Sequence, residues 1–310
     1  MSAKRISTKV WIEAAINGPW GKARQPGIPT STKDIIADGI ASAKAGAAIV
    51  HLHVYDEATG QQKDDWQLYA SAIEGIRAEC DAIIYPTIPI AGSSYANGTM
   101  KTAAERYEHL EELAKRGLVE WGVVDPGSCN FARFSDVAKL VPGFVYQNPD
   151  DHFLEGMRIC ADYGINPSYA IYEPGFTRMG AASANAMMKV PTPIYRFMFA
   201  EEFTFGFPPK PNHLDAHLGL LREVAGGYPW MIAGLGVDIR PLIPAAVERE
   251  GHVRVGLEDM PWGASQSNRE LVEEAVQIIR KAGGEPASAS EVRGAMKAAD
   301  TLHKRGKAIG

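Results

Sequence analysis

Short runs rich in β-branched and aromatic residues alternate with longer amphipathic stretches along nearly the whole chain. The short runs predict strands at Val10–Ile16, Ala48–Val54, Ala82–Ile88, Glu120–Val124, Pro167–Tyr172, Ile194–Phe199, Pro229–Ala233 and Val253–Leu257. Between them, apolar residues recur at helical spacing. This predicts helices over Thr32–Ala45, Gln67–Glu79, Thr102–Arg116, Pro149–Tyr163, Ala181–Met188, Asp215–Val224, Pro241–Glu250 and Ser267–Ala282. Ser31 or Thr32 is placed to cap the first helix, and Gly46, Gly117, Gly164, Gly251 and Gly283 to end others. A strand–helix alternation of this length predicts either a closed (β/α)8 TIM barrel or a doubly wound sheet. No G-x-G-x-x-G follows the first strand, which favours the barrel. A further helix, about Ala289–His303, follows the last unit, and Phe203–Asn212 reads as a long loop after strand six.

Composition narrows the class. The 310 residues are 45% hydrophobic and 22% charged, enough for one large core and no obvious linker, so residues 1–310 read as a single domain. A net charge of -5 excludes a general nucleic-acid binder, and no apolar run is long enough to span a bilayer. The segment Met1–Val10 carries charge without the apolar centre of a secretory leader. Cys80, Cys129 and Cys160 fit no disulfide or zinc-ribbon spacing, which makes the cytoplasm the expected compartment.

Candidate chemistry enters with Ile49-Val-His-Leu-His-Val-Tyr-Asp56. Residues two apart on a strand face one way, so His51 and His53 point together and can share a borderline cation such as Zn2+ or another divalent transition metal. Strand eight ends in Gly251-His-Val-Arg-Val-Gly-Leu-Glu-Asp259, and strand one alone separates it from strand two. Glu258 thus becomes a third ligand, leaving one coordination position open. Arg254 shares a strand face with Glu258 and is expected to keep Asp259 ionised as a weak base.

These residues resemble the β-keto acid cleavage enzymes. Further matches are Ala14-Ala-Ile-Asn-Gly18, Gly127-Ser-Cys-Asn-Phe131, Ile171-Tyr-Glu-Pro-Gly175, Ala233-Gly-Leu-Gly236, Ser267-Asn-Arg-Glu-Leu-Val272 and the tail Gly283–Arg293. The resemblance implies a zinc-dependent exchange: a β-keto acid and acetyl-CoA give acetoacetate and a new acyl-CoA. It implies that Asp259, oriented by Arg254, takes a proton from the acetyl methyl, and that Thr87 supplies the family's hydroxyl. It also implies a homo-oligomer, a tetramer. Departures bear on the substrate. Pro86-Thr-Ile-Pro-Ile90 replaces a glycine-rich turn, and Val123 stands where the family often has Thr. Trp20 stands where cleavers of amino-substituted acids carry Glu, which argues against a cationic tail. The loop Phe203-Thr-Phe-Gly-Phe-Pro-Pro209 suits an apolar or bulky acyl group as well as it suits a changed reaction.

Other residues are weaker candidates. Glu13 on strand one lines the barrel mouth and needs a partner, for which Arg254 is placed. Asp125, Ser128 and Glu173 follow strands four and five within reach of substrate. Asn268 and Arg269 are positioned to meet CoA phosphates at a helix start. His109, His152, His213 and His217 show no shared spacing and read as solvated. Two other readings remain open: a metal-dependent hydrolase of the amidohydrolase kind, and a non-catalytic barrel that binds an acyl-CoA or small acid. The first expects a Lys on strand four and histidines on strands five and six, which this chain lacks.

Overall fold

The computed structural model describes residues 8–89 and 101–309, so the predicted turn at Pro86–Ile90 is described except for Ile90, and the residues before Thr8 lie outside. The chain opens with β1 (Thr8–Val10) and β2 (Ile12–Ala15). Then come α1 (Thr32–Ala45), β3 (Ile49–Leu52), α2 (Trp66–Arg77), β4 (Ile83–Pro86), α3 (Ala103–Lys115) and β5 (Trp121–Val123). An excursion, β6 (Cys129–Phe131), α4 (Phe134–Val137) and β7 (Phe144–Tyr146), precedes α5 (Asp150–Tyr163). The chain continues with β8 (Asn166–Ile171), α6 (Pro174–Ala186), β9 (Ile194–Phe199), α7 (Pro211–Ala225), β10 (Trp230–Gly234), α8 (Ile243–Glu248), β11 (His252–Val255), α9 (Asn268–Lys281), β12 (Gly284–Pro286) and α10 (Ala289–Ile309).

Eight parallel strands form one sheet in the order β4-β3-β2-β11-β10-β9-β8-β5. Its two ends, β4 and β5, lie side by side, so the sheet is a nearly closed (β/α)8 TIM barrel. Strands covered on both faces read as continuous apolar runs, and Ile49-Val50 and Ile83-Ile84 are fully buried. Helices turn one apolar stripe inward; α9 buries Leu271, Val272, Ala275, Val276 and Ile279. Ser31 caps α1 by accepting from Asp34 N at 3.1 Å, while Thr102–Glu105 and Ser267–Glu270 close capping boxes on α3 and α9. No helix among the described residues is long and apolar enough to cross a membrane.

Some expectations are corrected. The first predicted strand breaks at Trp11, whose N–H donates to His252 Nδ1 (3.3 Å) while its ring stacks on that imidazole at 3.8 Å. Above the break β2 enters the barrel; below it β1 pairs with β12 outside. The fifth predicted helix, α6, begins at Pro174, not Ala181. Pro174 sits in its first turn, where the missing N–H costs nothing. The seventh predicted helix, α8, is preceded by a 3-10 turn, Arg240–Leu242, and the last helix runs on to Ile309. The β6–β7 hairpin was not expected. Its strands are short, and it is held to the barrel by non-local contacts such as the Arg133–Phe203 bridge. His109, His152 and His217 are buried, not solvated: His109 Nε2 donates to Thr87 O (2.7 Å), and His217 stacks on Phe197 at 4.5 Å.

Candidate metal centre and active site

At the C-terminal mouth of the barrel, His51 on β3 and His53 just beyond it face Glu258, which follows β11. All three are buried. Glu258 Oε2 lies 3.6 Å from His51 Nε2, and Oε1 lies 3.4 Å from His53 Nε2. Bonds of zinc-like length set tetrahedrally put neighbouring ligand atoms about 3.4 Å apart. The donor atoms, all within 4.8 Å of one another, therefore fit a small cation. Gln62 Oε1 sits 2.9 Å from His53 Nδ1. An amide oxygen can only accept, so His53 Nδ1 donates to it and Nε2 is the ring atom turned to the carboxylate. Among the described residues His53 Nε2 and Glu258 Oε2 have no hydrogen-bond partner, and a cation held between the imidazoles and the carboxylate would satisfy both. Burial holds His51 well below the ordinary imidazole range, which keeps it neutral and able to ligate.

Arg254 organises the acids. Its guanidinium meets Asp259 through Nε–Oδ2 (2.9 Å) and Nη2–Oδ1 (2.7 Å), Glu258 Oε1 through Nη2 (2.9 Å) and Glu13 Oε1 through Nη1 (3.1 Å). Burial would raise Glu258, but Arg254 and the two imidazoles hold it well below the usual carboxylate range. Asp259 differs from expectation: burial outweighs Arg254 and pushes it up to about 6, with Glu258 and Glu13 adding to the rise. The turn carrying both acids depends on Gly256, at φ +145, where a Cβ would run into the Ala15 carbonyl. Gly18, at φ +68, leaves room for the Glu258 side chain.

Several predicted residues support this turn. Trp20 Nε1 donates to Glu258 O (2.7 Å), and its ring meets Trp262 edge-on. Asn268 is a correction: it is fully buried, accepts from Leu257 N (2.8 Å) and donates to Ile16 O (2.7 Å). It has no free surface for a phosphate. Arg269 is exposed and pairs with Glu273 at 2.7 Å. Thr87 is buried after β4, and Ser128 is exposed, accepting from Asn148 N (2.8 Å). Glu173 accepts from Gly206 N (3.2 Å), which ties the loop after β9 to the start of α6. Asp125 is buried, raised by that burial, and holds Tyr146 Oη (2.6 Å) and Ala170 N (2.7 Å). Phe131, Tyr146, Tyr172, Phe203 and Phe205 form an aromatic wall above it.

Three residues at the site were not anticipated. Gln62 orients His53. Tyr85 donates to Glu13 Oε1 (2.7 Å) and packs on His51 at 4.8 Å. Arg196 on β9 is buried in the barrel lumen. The bulk of Tyr85 and Arg196 within strand patterns is a weak signal; their partners appear only when the barrel closes.

The (β/α)8 barrel thus gathers at its C-terminal mouth a His2Glu donor set able to hold a cation and an acid held by Arg254. The chain belongs to the β-keto acid cleavage enzyme family, whose model matches residues 9–297, and it is an enzyme of that type. It is 27% identical to the 3-keto-5-aminohexanoate cleavage enzyme of Fusobacterium nucleatum, over 92% of this chain and 96% of the relative. It is also 27% identical to the 3-dehydrocarnitine:acetyl-CoA trimethylamine transferase of Rhizobium meliloti, over 94% and 97%. To the 3-oxoadipate:acetyl-CoA acetyltransferase of Cupriavidus necator it is 26% identical, over 91% and 92%. A solved structure of ObcA with oxaloacetate shares the fold, with a TM-score of 0.72 at 16% identity, over 89% of this chain and 68% of that one.

Proposed function

We propose that this enzyme condenses a β-keto acid with acetyl-CoA and releases acetoacetate and a new acyl-CoA, with Zn2+ as its metal. The observation that carries this reading is the convergence of His51 Nε2, His53 Nε2 and the Glu258 carboxylate within 4.8 Å of one another beside the Arg254–Asp259 pair. When bound by His51, His53 and Glu258, the ion supplies Lewis-acid polarisation of the substrate's keto group. Asp259 takes a proton from C2 of the β-keto acid rather than from the acetyl methyl, because acetoacetate needs a bond from C2 to the acetyl carbonyl carbon, and the carbanion so formed attacks that thioester carbonyl. CoA passes from that carbon to the acid's keto carbon, and cleavage of the acid's C2–C3 bond releases the new acyl-CoA. The departing C2 carbanion, which carries the acetyl group and the carboxylate, takes back the proton and leaves as acetoacetate. A carboxylate lifted to about 6 is a better base near neutral pH than a surface acid. Arg254 holds Asp259 in place, and the Thr87 hydroxyl is a candidate donor to developing charge. Glu13, Asp125, Ser128 and Glu173 belong to the walls and supports of the substrate pocket. Arg269, on the rim, is available to a CoA phosphate. Trp20 removes the acid that would meet a cationic tail, and the relative named for 3-oxoadipate sets a precedent for an anionic one. A cytoplasmic homotetramer is the assembly this reading carries.

The test is metal analysis of the purified protein, followed by a panel of β-keto acids with acetyl-CoA, reading acetoacetate. Asp259→Asn is expected to lower turnover by about 10²–10⁴-fold while leaving metal content intact. Full turnover in that variant refutes its role. Cleavage of esters or amides without acetoacetate supports the hydrolase reading instead.

A further inference from the structure

Arg196 is buried at 3% exposure, yet its guanidinium makes no hydrogen bond within the described residues and its buried Nε has no partner. Among those residues the one carboxylate oxygen within 4 Å is Glu13 Oε1, 3.9 Å from Nη1. That oxygen is already held by Tyr85 Oη at 2.7 Å and Arg254 Nη1 at 3.1 Å. Asp125, the other acid facing Arg196, has both oxygens engaged by Tyr146 and Ala170. A buried guanidinium left without acceptors is strongly unfavourable, so a cation kept here calls for an acceptor from elsewhere.

Its position says what that acceptor serves. Arg196 is on β9 and Glu13 on β2, with β10 and β11 between them in the sheet, so their approach crosses the barrel lumen. Arg196 is thus joined to the metal centre through the Glu13 and Arg254 side chains inside the same barrel lumen.

We propose that Arg196 is the specificity-determining residue for the acyl tail. Its guanidinium takes a terminal carboxylate, so the substrate class is β-keto dicarboxylic acids. A planar fork with free N–H groups suits a carboxylate, and a site built this way rejects the analogue that leaves it unpaired. The inference rests on the keto-acid reading above for the metal-bound end of the ligand.

The test measures binding, without acetyl-CoA, of 3-oxoadipate and 3-oxohexanoate to the metal-loaded full chain by calorimetry. The two acids share the β-keto end and chain length and differ in the terminal carboxylate. Wild type is expected to prefer 3-oxoadipate by tenfold or more. Arg196→Met is expected to remove that preference while 3-oxohexanoate binding stays within about threefold. No preference in wild type, or an equal one in Arg196→Met, overturns the proposal. Should Arg196→Met not fold, Arg196→Lys decides: a preference narrowed several-fold supports it, and an unchanged one overturns it. The two readings separate cleanly. A dianion preference that depends on Arg196 without acetoacetate formation removes the reaction and keeps the anion site. Acetoacetate formation without the preference does the reverse.

Discussion

At the scale of single residues, the site is a chain of supports in which each charged group is held by the next. Gln62 fixes the His53 tautomer, and Asp64 Oδ1 lies 3.4 Å from the Gln62 amide nitrogen while Lys101 braces its other oxygen at 2.9 Å. A ligand's supporting hydrogen bond tunes both its orientation and its basicity. Gln62→Leu is therefore expected to weaken metal affinity by about 10–100-fold with the fold intact, read by chelator competition. Unchanged affinity would show that His53 needs no such orientation. His51, His53, Glu258, Arg254 and Asp259 were readable from sequence because strand periodicity put two histidines on one face and two acids at one strand end. Gln62, Tyr85 and Arg196 were not, since each acts across strands that meet only in the closed barrel. Asn268 misled for a related reason. A helix-start Asn reads as a solvent-facing group, and its use as a buried strut to Leu257 and Ile16 is a tertiary fact.

At the scale of elements, the end of β11 concentrates the constraints. Val253 to Val255 pair with β2, and the backbone then turns at Gly256 to deliver Glu258 and Asp259. Gly256→Ala demands a strained φ and displacement of the Ala15 carbonyl, which belongs to the strand that Glu258 N bonds. It is expected to cost roughly 1–3 kcal/mol in denaturant unfolding and to lower metal occupancy with it. A variant with wild-type stability and metal content would show that the turn has slack. The alternation of strands and helices was legible because each barrel strand is covered on both faces and each helix buries one stripe. What escaped were elements that pattern does not govern: the β6–β7 excursion, the β1–β12 pair outside the barrel, and the first turns of α6. There Pro174 and Gly175 read as breakers although Pro belongs at a helix start.

At the scale of the whole molecule, the opposite end of the barrel carries its own sensitivity. His252 is buried against Trp11, accepts its N–H, and burial lowers its pKa to about 3. A folded-state value below the ordinary 6.5 means the neutral ring is what the fold requires. The stability it contributes is fully present above pH 6.5 and is lost as pH falls toward 3. Between pH 6.5 and 4 this one group is expected to cost up to about 3 kcal/mol. His252→Gln, which keeps an acceptor and does not titrate, is expected to flatten the pH dependence of unfolding over that window even if less stable at neutral pH. Parallel profiles for the two proteins would exclude His252 as the cause.

The pairing of β2 with β11 sets a timetable for synthesis. Glu13 and Arg254 stand 241 positions apart. At ribosomal speeds of about 5–20 residues per second, the acid waits on the order of tens of seconds for its guanidinium. Through that interval the nascent chain holds both histidines and no third ligand, and the first strand has one edge open. The three donors therefore exist together only once β11 and the turn after it have been made.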